Sequence, residues 1–152
     1  MTRPPVRVTI LGGGFGGLYT AMQLEKRWPR DVPLELTLVS RDNHMLFTPM
    51  LHEVAASDVD LTHVVNPIRK LLRRGVFFAG EVEAIDVVRH EITVCHVGGG
   101  HRHRLSYDHL VLALGSVTNF FGLPGLAQSA LTMKSLGDAI AVRNRAIQLL
   151  EE

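Results

Sequence analysis

The sequence predicts an α/β fold: a parallel sheet with an inserted antiparallel β-meander, incomplete at one edge. Three observations predict it. A β-branched apolar run near the start ends in a cluster of glycines and passes into an amphipathic helix. Between about residues 81 and 105 the hydrophobic pattern switches to alternation. A second continuous apolar run follows at 108–115. Continuous apolar runs mark strands buried on both faces, and alternation marks antiparallel strands with one face in water.

Each element has its own signal. Val6-Arg7-Val8-Thr9-Ile10-Leu11 reads as the first buried strand. Phe15 to about Trp28 reads as a helix, with Leu18, Ala21, Met22 and Leu24 at helical spacing and Pro29 and Pro33 closing it. Leu34 to Val39 is the second strand, so the entry is one right-handed βαβ unit. Residues 41–57 show no clear period and read as a long apolar loop, of the kind that is functional or covered. Apolar residues at 61, 64, 65, 68, 71 and 72 predict one helix over 61–74, with a basic final turn and Gly75 as its stop. Val76 to Gly80 is a short strand, and 81–88 and 91–97 form a hairpin. Gly98-Gly99-Gly100 is a second turn before a strand at 101–105. Residues 108–115 return to a buried strand, and Ser135 or Gly137 starts a closing helix.

Composition narrows the function classes. The chain has 152 residues, room for a single domain with a sizeable core. It is 46% hydrophobic and 20% charged with a formal net charge of +1, so no basic excess points to nucleic acid. The single cysteine, Cys95, excludes an internal disulfide framework and fits a reducing compartment. Arg3 and Arg7 precede an apolar stretch, but glycines at phosphate-loop spacing break it, so it is not read as a targeting segment. No run reaches the ~18 apolar residues of a membrane span.

The glycines carry the chemistry. Gly12-x-Gly14-x-x-Gly17 follows a strand and opens a helix, the context that makes this motif a dinucleotide-binding signal. Gly12 permits the tight turn, Gly14 lets backbone approach a pyrophosphate, and Gly17 lets the helix pack on the strand. Phe15 and Gly16 lie in the same loop, and the helix N-terminus offers N–H groups to the phosphates. An acid is expected at the end of the second strand to hold a ribose. Ser40 stands there instead. Its hydroxyl can bond a ribose without charge assistance, Asp42 can substitute if the loop bends back, and Arg41 suits the 2′-phosphate of NADP.

The meander followed by Tyr107-Asp108-His109-Leu110-Val111-Leu112-Ala113-Leu114-Gly115 resembles the Rossmann-like FAD-binding domain of the pyridine nucleotide–disulfide oxidoreductases, with Leu114 in place of a threonine. Within that superfamily the chain is similar to type II NADH dehydrogenase over nearly all its length. The similarity rests on the glycine loop, Asn43-His44-Met45-Leu46-Phe47-Thr48-Pro49-Met50-Leu51, Tyr107 to Val111, Asn119-Phe120-Phe121-Gly122-Leu123-Pro124-Gly125 and Lys134 to Asn144. The resemblance implies FAD as cofactor, with NADH as co-substrate and quinone as electron acceptor in a full-length enzyme. It places Thr48 and Pro49 near the flavin ring, Val82 at the adenine, and Ala113, Leu114 and Gly115 beside the diphosphate. It implies an FAD-binding domain over 1–135 and a connecting helix over 136–152.

Enzymes of that family also carry an NADH-binding fold, a later Gly-Asp motif and a membrane-binding C-terminal region. Only one GxGxxG is present here. The expectation is therefore an N-terminal portion, inactive alone, with weak FAD retention and an open strand edge. Its location is expected to be cytoplasmic, with any peripheral membrane association arising from regions outside this sequence. Two alternatives stay open: an NADP-binding reductase module, and a non-catalytic fragment keeping the fold. The eight histidines invite a metal at Cys95-His96 and His101-x-His103, but a solvated hairpin edge explains them more simply, and no metal site is assigned. Phe77-Phe78 and Phe120-Phe121 read as core. No nucleophile–base pair stands out, as expected where a cofactor carries the chemistry.

Overall fold

The computed structural model describes residues 4–152. In chain order the elements are β1 (Val6–Leu11), α1 (Phe15–Arg27), β2 (Leu34–Ser40), β3 (His44–Leu46), α2 (Leu51–Ala56), β4 (Val65–Pro67), α3 (Ile68–Leu71), β5 (Val76–Asp86), β6 (Glu91–His96), β7 (Arg102–Ser106), β8 (His109–Leu112), α4 (Leu126–Ser129) and α5 (Leu136–Glu151). Short 3-10 turns occupy Thr48–Met50 and Leu61–His63. The chain divides into two compact units. The first runs through Met45 and resumes over Pro67–Gly115; the second is Leu46–Asn66 with Ser116–Glu152.

The first unit holds a six-stranded sheet in the order β7-β6-β5-β2-β1-β8. β1 and β2 pair in parallel from Val6↔Leu34 to Leu11↔Val39. β5 serves two neighbours in succession: parallel to β2 from Val76 to Ala79, then antiparallel to β6 from Gly80 to Asp86. The alternation predicted for the meander is present. The two faces of β1 and β2 sort by residue parity. Val8, Ile10, Leu36 and Leu38 pack with Leu18 and Ala21 of α1, while Leu11 and Val39 pack with Ile92, Val94 and Tyr107. Each such fully buried Leu, Ile or Val contributes about 1.5–3 kcal/mol.

Four expectations need correction. Residues 41–57 are not one loop: they carry β3, a 3-10 turn and α2, each too short to register as a period. The helix predicted over 61–74 is broken into a 3-10 turn, β4 and the four-residue α3. Pro67 is the cause, since proline lacks an N–H and drives the residue before it out of helical geometry. Gly75 therefore ends no helix. Its N–H, with those of Arg73 and Arg74, donates to the Glu25 carboxylate on α1 at 2.7–3.1 Å. Burial acts to raise the Glu25 pKa, but the backbone donors of Gly75, Arg74 and Arg73 outweigh it and hold the group below its ordinary value.

The third correction concerns β8. It is not buried: among the described residues it pairs only with β1, at the end of the sheet, and Leu112 and Leu114 are each 63% exposed. This is the open edge the resemblance implied. Fourth, Phe77 is core as expected, but Phe121 is 79% exposed, at a turn where its φ is +52°.

The second unit is built on α2 and α5, whose Leu51, Val54 and Ala139 pack with Val64. Ser135 caps α5, which settles the start left open between Ser135 and Gly137. Its hydroxyl accepts from the Asp138 N–H at 3.1 Å, and the Asp138 carboxylate accepts from the N–H of Ser135 at 2.9 Å and Lys134 at 2.7 Å.

Candidate functional site

The glycine turn of the first unit is a close-packed junction. Gly12 leaves β1 with φ +111°, a conformation that glycine alone adopts readily, and a Cβ there would lie 2.1 Å from the Ala113 carbonyl oxygen. Its N–H donates to the Val39 carbonyl at 2.8 Å, so the turn is tied to β2 as well. A Cβ on Gly17 would fall 1.8 Å from the Gly12 carbonyl oxygen and 3.3 Å from Ile10 Cγ2. This is the close helix–strand approach that the spacing predicts. Gly16 faces the Ala113 methyl at an ordinary contact distance.

Gly14 differs from its neighbours. A Cβ there would meet nothing within 4 Å. It is also the N-cap of α1, which has neither a side-chain cap nor an acid in its first turn. Among the described residues no side chain therefore caps the positive end of the helix dipole, which lies beside a glycine that opens onto free space. Together these features form a cradle that can hold an anion.

Two clamps hold the cradle's second wall. Ala113 N donates to the Leu11 carbonyl at 2.8 Å, extending the β1–β8 pairing past Leu112. At the other end of β8, Asp108 accepts from the Arg7 backbone N–H at 2.7 Å and from Arg7 Nε and Nη2 at 3.3 and 2.9 Å. The Asp108 N–H donates back to the Arg7 carbonyl at 2.9 Å. The side-chain hydrogen bonds from Arg7 hold the Asp108 carboxyl down at about 2. The aspartate of the Tyr-Asp pair read as a family signature is thus a fastener for β8.

The sequence-predicted residues are distributed as follows. Gly12, Gly16, Gly17, Ala113 and Leu114 come together at the junction. Ser40 ends β2, with its hydroxyl 2.7 Å from where a Gly13 Cβ would be. Arg41 and Asp42 are exposed and face each other, Nε to Oδ1 at 3.9 Å. Val82 lies on β5 three residues beyond the last β2–β5 pair, Ser40↔Ala79, and is opposite Val94. Gly115 turns with φ +76°. Thr48 and Pro49 lie in the second unit, in an exposed 3-10 turn. Sequence reasoning missed Gly13: a Cβ there would strike Ile68 Cδ1 and Ser40. The partner that betrays it, Ile68, is 55 positions away, so no local pattern signals it.

The histidines do not build a metal centre: among the described residues no three His, Cys, Asp or Glu side chains group to hold one. His96 and His103 pack instead edge-on to Phe78, with ring centroids 5.9 and 5.2 Å away. No helix among the described residues is long and apolar enough to cross a membrane.

Comparison with known proteins agrees with this geometry. The family model described as pyridine nucleotide-disulphide oxidoreductase matches residues 6–149. The chain is 35% identical over 148 residues to the demethylphylloquinone reductase NdbB of Synechocystis, covering 95% of this chain and 36% of that one. It is 34% identical over 151 residues to the type II NADH:quinone oxidoreductase Ndh of Mycobacterium tuberculosis, covering 96% and 31%. Its fold superposes on NDH2 of Plasmodium falciparum in complex with NADH with a TM-score of 0.83 at 25% identity, over 97% of this chain and 30% of that one. The chain spans about a third of the length of the curated relatives it matches.

Proposed function

The chain belongs to the pyridine nucleotide-disulphide oxidoreductase family, and from that premise we propose that it is the FAD-binding part of an NADH:quinone oxidoreductase. The observation that carries this reading is Gly14: the one loop glycine whose missing Cβ leaves free space, at an uncapped helix N-terminus. That space and that polarity fit a pyrophosphate. FAD, when bound, supplies acceptance of hydride from NADH and delivery of electrons to quinone.

The chain's own residues bind and orient. Gly14, Phe15, Gly16 and Gly17 turn backbone toward the phosphates, and Gly12 holds the turn that aims them. Ser40 takes the ribose by a neutral hydrogen bond, and Arg41 stands next to it. Val82 offers backbone to the adenine, on a stretch of β5 that has left β2. Ala113, Leu114 and Gly115 flank the diphosphate, and Thr48 and Pro49 approach the flavin ring. On this reading residues 1–135 are the FAD-binding domain, 136–152 a connecting helix, and the full-length enzyme is cytoplasmic and peripheral to the inner face of the membrane.

One observation favours a second reading, an NADP-binding module: the end of β2 carries Ser40 and exposed Arg41, and the nearby Asp42 is turned to Arg41. Thermal shift separates the two. FAD should raise the melting temperature more than NADP does, and Gly14→Ala should abolish the FAD shift while leaving the ligand-free melting temperature unchanged. A larger shift with NADP would overturn the FAD assignment.

A further inference from the structure

The cationic side chains of the first unit are unevenly spread. Between Asp60 and Glu81 the chain carries no acid, yet Arg69, Lys70, Arg73 and Arg74 stand there, all exposed. The last turn of α1 adds Lys26 and Arg27. The two stretches meet. Glu25 accepts from the N–H groups of Arg73, Arg74 and Gly75, which brings the end of α1 against the start of β5. The acid next to Lys26 and Arg27 in sequence is thus spent on backbone, and the Arg74 charge acts on it as well. Arg69 lies over the Phe77 ring, 5.0 Å from its centroid. Lys26, Lys70 and Arg73 form no ion pair among the described residues.

Apolar groups are exposed in the same place. Leu18 and Ala21 turn one face of α1 to the core. Tyr19, Met22 and Lys26 follow one another three and four positions apart on its outward face. Tyr19 is 53% exposed, and Val76, next to Gly75, is 60% exposed. Cations therefore border an aromatic and aliphatic ridge. Protein interfaces are depleted in lysine, and a charge buried in one needs a matched partner. An anionic bilayer asks for no such match. Its charge is diffuse, and its acyl boundary takes exposed aromatic and aliphatic side chains.

We propose that this surface, the outward face of α1 with the basic stretch 69–74, lies on a bilayer containing anionic lipid. The contact rests on the membrane location in the reading above and not on its cofactor, so vesicle binding and the FAD thermal shift can fail separately. It gives the chain a membrane contact of its own. Each Lys or Arg held at an anionic surface strengthens binding about fivefold. The cluster therefore suffices for reversible attachment that weakens with salt.

The test is flotation of the whole chain with vesicles of phosphatidylcholine, alone or with about 30% phosphatidylglycerol. Binding should need phosphatidylglycerol and should fall as salt rises from about 50 to about 500 mM. The triple variant Lys26→Gln, Lys70→Gln, Arg73→Gln should bind about a hundredfold more weakly. Its melting temperature should not change, because none of the three is paired. The triple variant Arg89→Gln, Arg104→Gln, Arg145→Gln removes the same charge elsewhere and should lose less than about fivefold. Tyr19→Ser should weaken vesicle binding and leave heparin binding unchanged. Equal binding to phosphatidylcholine alone, equal losses in the two triple variants, or tighter binding to heparin than to the anionic vesicles would each overturn the assignment.

Discussion

Two glycine triplets in this chain look alike in sequence and differ completely in structure. At Gly12-Gly13-Gly14 a Cβ on the first would collide with the Ala113 backbone and on the second with Ile68 and Ser40. At Gly98-Gly99-Gly100 a Cβ on the first or third would meet nothing within 4 Å, and on the second only the edge of the His101 ring. Gly12 and Gly13 are glycine because strands, helix and turn crowd one point, while a Cβ on Gly14 would meet nothing within 4 Å. The second triplet is glycine because a hairpin must reverse. Composition does not separate them; what does is a strand before and a helix after.

Substitutions should widen that contrast. The largest effect belongs to Gly17→Ala, whose methyl meets backbone that cannot move aside; it should cost about 3 kcal/mol or more by urea unfolding. Gly13→Ala should cost about 2 kcal/mol, less because it strikes side chains, those of Ile68 and Ser40, and not backbone. Gly100→Ala meets no atoms and should cost about 1 kcal/mol, from its φ of +63° alone. If Gly100→Ala proved as damaging as Gly17→Ala, crowding would not be what distinguishes the two turns.

Asp108→Asn should do least at neutral pH and sharpen the comparison through acid titration. Asp108 fastens β8, and so Ala113, against the first triplet. Its folded pKa of about 2 lies below its ordinary 3.8. The stability it contributes is therefore fully present above about pH 4 and is lost as pH falls toward 2. Thermal melts from pH 5 to 2 should show a shallower acid loss in the variant than in the parent. Parallel slopes would remove Asp108 as the fastener.

Much of the first unit was legible because its signals are local. Val6 to Ser40 is a strand, a glycine turn, a helix and a strand, each declared by its own residues. The meander was legible for the same reason. What escaped notice depends on distance. Glu25 looks like any solvent-side helix residue, and only the arrival of residues 73–75 makes it a clamp. The helix misread over 61–74 had the right apolar spacing, and Pro67 overrode it. The exposure of β8 is set by strand order, which no residue in β8 encodes. At the site, Gly12, Gly14 and Gly17 could be assigned roles from spacing, whereas Gly13 needed Ile68.

The Glu25 clamp also bears on how the chain tolerates change. The backbone leaves the first unit after Met45 and returns at Pro67. The Asn43 carbonyl accepts from the Ile68 N–H at 3.0 Å across the neck of that excursion, and Glu25 binds residues 73–75 just past it. The neck is stitched shut by bonds made wholly within the first unit. For the first unit the excursion counts only as a loop, and doubling a flexible loop's length adds about 0.6 kcal/mol of closure entropy. The βαβ scaffold can keep its register when the segment between residues 46 and 66 changes length, provided Leu51, Val54 and Val64 still pack with α5.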